Sequence, residues 1–161
     1  MKLRESLKGL RVYRADLETP PAEVQPPPSP RKYWTRKGIA QWLVEQLQKD
    51  HATIVGIDHG FSFPLRYFEV HHLLPDKVHF WPFDGWEVSP GCSAIVEVYP
   101  SLWSRSFPRE DRNPDQHDAY SVARWLRQAD IDGSISTFLS PSLNPAERTL
   151  AQVEGWILGV M

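Results

Sequence analysis

Four acidic residues stand at or beside apolar runs or at a helix start, and their type suits hard-cation chemistry: Asp58, Glu97, Asp118 and Glu154. Asp58 closes the run Ile54-Val55-Gly56-Ile57, and Asp118 falls in the first turns of a helix opened by Pro114. Carboxylates gathered at strand ends are what Mg2+ or Mn2+ requires, because these ions take oxygen ligands and offset charge developing on a phosphate. The same spacing also fits a plainer arrangement, in which Asp58 bonds its own turn and Asp118 is a solvated helix acid. Glu97 interrupts Ile95-Val96-Glu97-Val98: turned inward it needs a partner or a metal, and turned outward it simply meets water. Glu154, beside the apolar carboxy-terminal stretch, carries the same two readings. His59 follows Asp58 and His117 precedes Asp118, so either could move a proton or orient a carboxylate, or serve as a structural histidine. His71 and His72 are adjacent and point apart on a helix, which argues against a shared metal. The chain has no glycine-rich phosphate loop with lysine, no dinucleotide fingerprint, no nucleophile elbow and no cysteine–histidine zinc spacing.

The elements that must position these acids can be read from periodicity and punctuation. Residues 10–17 alternate polar and apolar side chains and read as a half-buried or edge strand. Residues 20–30 hold six of the fifteen prolines, which favours an extended connector over a ladder or helix. Thr35 caps a helix to about position 50, with Ile39, Trp42, Leu43, Gln46 and Leu47 on one stripe. Residues 51–58 read as a buried strand and Pro64 as the start of a short helix, after which an aromatic loop runs to Gly91. Residues 93–99 form a second core strand, stopped by Pro100. Asn113 and Pro114 open a helix to about Ala129 with Ala119, Val122, Ala123 and Leu126 on its apolar stripe. Asn144, Pro145 and Glu147 carry the spacing of a capping box for a last helix, and the WILGV stretch after it docks on the core.

The 161 residues suit one domain with a sizeable core. With 18 basic against 20 acidic residues the net charge is -2, so any contact with nucleic acid must be local rather than spread over the surface. The single cysteine, Cys92, permits no intrachain disulfide and suits a reducing cytoplasm. No apolar run approaches the ~20 residues that cross a bilayer, and the amino terminus lacks a signal-like stretch, so no membrane partner is expected.

The blocks Gly56-Ile57-Asp58-His59-Gly60-Phe61-Ser62-Phe63-Pro64, Glu97-Val98-Tyr99-Pro100, His117-Asp118-Ala119-Tyr120 and Glu154-Gly155-Trp156-Ile157 resemble, in that order, the signature blocks of the domain-of-unknown-function 429 family. That family is described as nucleases of ribonuclease-H-like fold. The resemblance implies an α/β fold, a ribonuclease-H-like mixed sheet flanked by helices. It also implies that Asp58 and Asp118 hold Mg2+ or Mn2+ against a nucleic acid phosphodiester; Glu97 and Glu154 match family blocks without an established role and complete the candidate catalytic set of Asp58, Asp118, Glu97 and Glu154. Asp58 looks like the fourth-strand acid and Asp118 like the helix acid. The family opens with a strand carrying Gly-(Ile/Val)-Asp, and nothing before Thr35 matches it. Asp16 is the only early aspartate, so the fold is expected to be N-terminally incomplete, through a lost first strand or a truncated or mis-started reading frame. The expected organisation is an N-terminal strand and proline-rich connector over 1–34 and the ribonuclease-H-like domain over 35–161.

Two readings follow. In one, the chain is a metal-dependent nuclease-like enzyme, with Asp58 and Asp118 facing one cleft, their oxygens within about 8 Å, and Glu97 or Glu154 in the same pocket. In the other it is a catalytically silent binding or assembly module whose contact surface is the aromatic loop of Trp81, Phe83 and Trp86.

Overall fold

In the computed structural model the described residues are 8–27, 32–58, 70 and 72–161. Their framework is a parallel three-stranded sheet with helices on both faces. Strands β3 (Ile54–Ile57), β4 (Val78–Phe80) and β5 (Ser93–Glu97) lie in the order β3-β5-β4. Ile54 pairs with Ala94 and Ile57 with Glu97 on one side of β5, and Val78 pairs with Ser93 on the other. β5 is central and every residue of it is buried, as expected for a β-branched run covered on both faces. Its one polar start is satisfied, because the Ser93 hydroxyl accepts the Thr53 amide at 3.1 Å.

Pleating sends alternate residues to opposite faces, and each face has its own helix. Val55, Ile57, Val78, Phe80 and Ile95 pack with Ile39, Ala40, Leu43 and Leu47 of helix α1 (Arg36–Leu47). Ile54, Ala94, Val96 and Val98 pack instead with Val122 and Leu126 of helix α2 (Pro114–Ile131), together with Trp81, Trp103 and Leu158. The helix starts follow local chemistry. Thr35 accepts the Gly38 amide at 2.8 Å, and Asn113 forms a reciprocal capping box with Gln116. After the short helix α3 (Ile135–Phe138), Asn144 and Glu147 form a second such box at the start of helix α4 (Pro145–Glu154).

Three expectations change. The sheet is parallel throughout its described strands rather than mixed. The antiparallel element is a separate ribbon in which β1 (Tyr13–Arg14) pairs with β2 (Ala22–Glu23), so part of the proline-rich stretch is laddered after all. Prolines 20, 21 and 26 flank the paired residues and remove no donor from the pairing. The ribbon lies along α2: Tyr13 meets Tyr120 edge to face, Gln116 donates to Glu23, and Arg127 donates to the carbonyls of Asp16 and Leu17. Finally, β4 lies inside what reads as an aromatic loop, because a three-residue strand is too short to show periodicity. The helix expected from Pro64 starts outside the described residues; within them, Leu74 donates to the Val70 carbonyl.

Gly56 sets how closely α2 approaches the sheet. A Cβ there would stand 2.9 Å from Val122 Cγ1, 3.0 Å from Val98 Cγ1 and 3.2 Å from Leu126 Cδ1. Gly56→Ala is therefore expected to destabilise the fold by about 1–3 kcal/mol through overpacking, although alanine suits a strand better than glycine. The denaturant midpoint measures it, and a midpoint equal to or above wild type would show that α2 can yield.

Candidate functional site

The four acids divide between the two faces of the sheet. Alternation along β3 turns Gly56 to the α2 side and Ile57 to the α1 side, and the ladder continues as the Val98 amide donates to the Ile57 carbonyl at 3.1 Å. The next step of the pleat carries Asp58, which is exposed, to the α2 side at the carboxyl end of the strand. On α2, Asp118 precedes Val122 by four residues and Leu126 by eight, so it occupies the stripe that meets Gly56, one turn nearer the helix start. It is half-buried rather than a fully solvated acid. Asp58 and Asp118 thus belong to one side of the sheet.

Glu97 and Glu154 belong to the other. Glu97 shares its face with Ile95 and is only 8% exposed, so its side chain turns inward. Glu154 ends α4, and Gly155 follows at φ 92, a conformation that redirects the chain back toward β5. The Leu158 amide then donates to the Glu97 carbonyl at 2.9 Å, and Ile157 bridges to Glu97 in parallel. The result is a cavity of about 220 Å3 lined by Glu97, Glu154, Gly155, Trp156, Ile157 and Val160. Neither Asp58 nor Asp118 is in that wall. Glu97 and Glu154 line this cavity together, and Asp58 is turned from it because Asp58 and Glu97 sit at strand positions of opposite parity. Among the described residues, no three His, Cys, Asp or Glu side chains converge as an ion cage.

The histidine beside Asp118 has another task. His117 is buried, with Nε2 2.9 Å from the Ser104 carbonyl, so the ring ties α2 to the turn after β5. Because a carbonyl only accepts, the Nε2 proton is the one used, and Nδ1 is left without a hydrogen-bond partner. One residue is about 100° around a helix, so His117 and Asp118 leave α2 in different directions. His59 and His71 lie outside the described residues, while His72 is exposed.

Asp16 is committed to its own turn. Its Oδ1 accepts the Glu18 and Thr19 amides at 3.1 and 2.7 Å, within the turn between β1 and β2. Hydrogen bonds from Thr19, side chain first and then backbone, hold its carboxyl below the usual range.

The aromatic loop is packed rather than presented. Trp81 is fully buried and donates Nε1 to the Leu139 carbonyl, Trp86 meets it edge to face, and Arg148 lies 5.0 Å over the Trp86 ring. Phe83 is half-buried, and its Cζ would be 3.2 Å from a Cβ at position 155. An exposed ring lies elsewhere, on the turns after β5. There Tyr99 and Leu102 are exposed while Pro100 and Trp103 are buried, a three-residue period that was the available signal in the sequence.

Two substitutions test these placements. Gly155→Ala combines a positive φ with contact on Phe83 and Glu97, and is expected to destabilise by about 1 kcal/mol or more; an unchanged melting temperature would contradict that. A carboxyl with a lowered folded pKa stabilises above its unfolded pKa of about 3.9, and the effect fades as pH falls through the lower folded value. The stability difference between wild type and Asp16→Ala should accordingly shrink as pH drops below about 4. A difference that grows on acidification would reverse the sign.

Comparison of the chain with protein-family models, with curated proteins and with solved structures finds no match.

Proposed function

We propose that the chain is a metal-dependent, nuclease-like protein of ribonuclease-H type, hydrolysing phosphodiesters with Asp58 and Asp118 as ion ligands. The observation that carries this reading is the shared face: the pleat turns Asp58 toward the helix whose inner stripe includes Asp118, at the carboxyl end of a parallel sheet. That edge is where ligands of open α/β sheets bind. The donor set fits, because two carboxylates offer hard oxygen ligands of the kind Mg2+ and Mn2+ prefer. Such an ion supplies an activated water and neutralises charge on the phosphate. Asp58 is exposed, while Asp118 is half-buried on a helix seated against Gly56 through Val122 and Leu126. Glu97 and Glu154, on the opposite face, are assigned to their own cavity rather than to this ion.

One observation favours a catalytically silent binding or assembly module instead. Asp16, the early aspartate, is committed to its own turn and adds no third carboxylate to Asp58 and Asp118. The two readings separate in one experiment, in which labelled single-stranded, duplex and hybrid oligonucleotides are incubated with the protein and Mn2+ or Mg2+. The nuclease reading expects cleavage that a chelator abolishes and that Asp58→Asn and Asp118→Asn each reduce roughly 100-fold or more. Cleavage no greater than in the Asp58→Asn protein would leave the binding module.

A further inference from the structure

The turns that leave the central strand form a second feature at the same edge of the sheet. Backbone bonds from Leu102 to Tyr99, Trp103 to Pro100 and Ser106 to Trp103 keep a three-residue period through this segment. That period buries Pro100 and Trp103, the latter stacked at 3.9 Å on Trp125 of α2, and leaves Tyr99, Leu102 and Arg105 outward on one ridge. Tyr99 is 52% and Leu102 43% exposed. Arg105 is exposed, and two further exposed arginines flank Phe107: Arg109, and Arg124, whose guanidinium lies 5.2 Å over that ring. The ion pairs among the described residues engage Arg11, Lys77 and Arg112, and leave Arg105, Arg109 and Arg124 without a carboxylate. Arg109 donates Nε to the Arg112 carbonyl and Arg124 donates to the Tyr120 hydroxyl, and each keeps further N–H donors. An accessible ring on the same segment as guanidiniums that meet no carboxylate, fixed to the scaffold by a buried tryptophan, has the chemistry that takes an unstacked base and its phosphates.

We propose that Tyr99, Leu102 and Arg105 form a docking ridge for single-stranded nucleic acid, with Tyr99 stacking on a base and Arg105, Arg109 and Arg124 holding backbone phosphates. The proposal deepens the reading of Asp58 and Asp118 as a phosphodiester centre and rests on it. The ladder runs Ile57 beside Glu97, so Tyr99 lies one residue beyond the position opposite Asp58, and a strand seated on the ridge passes the acid edge. A duplex keeps its bases stacked and offers no ring face to Tyr99, so the ridge selects single strands.

Binding is measured by fluorescence anisotropy of a labelled single-stranded oligonucleotide against the full chain in EDTA, where cleavage plays no part. Affinity is expected to fall with salt, and Tyr99→Ala to weaken it roughly 10-fold while Tyr99→Phe retains it. Arg105→Ala should reduce the slope of log affinity against log salt by about 0.7. Val153→Ser, at an exposed position on α4, should bind as wild type. The changed side chains are exposed, and an unchanged melting temperature verifies that each variant is folded. No binding at low salt, equal binding of duplex, or affinity indifferent to both Tyr99→Ala and Arg105→Ala would overturn the proposal. Binding with these signatures but without metal-dependent cleavage would uphold the ridge and overturn the acid centre.

Discussion

The contact at Gly56 governs the relation between the sheet and its longest helix. An isopropyl group of Val122 and one of Val98 occupy the space where a side chain of β3 would stand, with Leu126 closing the third side. Interiors pack near the density of organic crystals, so a missing Cβ on one element is converted directly into proximity of the other. Everything α2 carries is indexed to this point: Asp118 one turn before it, Trp125 against Trp103, and Tyr120 against Tyr13. The same contact that stabilises the core thus fixes the position of a candidate ligand that no hydrogen bond needs to hold.

The second organising feature is the parity of the sheet. A strand offers its residues alternately to two helices, and with both faces covered a single step changes the environment of a carboxylate completely. Asp58 and Glu97 are near neighbours along the carboxyl edge and yet answer to different layers, one shared with α2 and the other with the Trp156 segment. A buried glutamate at the end of an apolar strand belongs to the packing problem of the α1 side, where Gly155 and Phe83 crowd it.

What could be read from the sequence was what local chemistry decides. Thr35, Asn113 with Pro114, and Asn144 with Pro145 and Glu147 are helix starts because the residues that satisfy the first free amides are within three positions of each other. The strands around Val55 and Ile95 were legible from β-branched runs. The short strands were not: Val78 to Phe80 pair only because β5 offers an open edge, and Ala22 with Glu23 pair only because Tyr13 and Arg14 return beside them. No local pattern encodes either. Asp58 and Asp118 could be named as a pair, but not the separate placement of Glu97 and Glu154, since which acids share a face depends on strand register, a relation between residues some forty positions apart. The aromatic loop misled for a similar reason, because Trp81 is enclosed by residues as distant as Leu139.

The ribbon's attachment has a temporal consequence. Arg127 clasps the carbonyls of Asp16 and Leu17 across 111 and 110 positions of chain, and Gln116 reaches Glu23 across 93. Closing so long a loop is entropically costly until the intervening chain is already ordered. Residues 13–23 precede α2 in the chain, so the contacts that seat the ribbon can form only once the helix that receives it has been made.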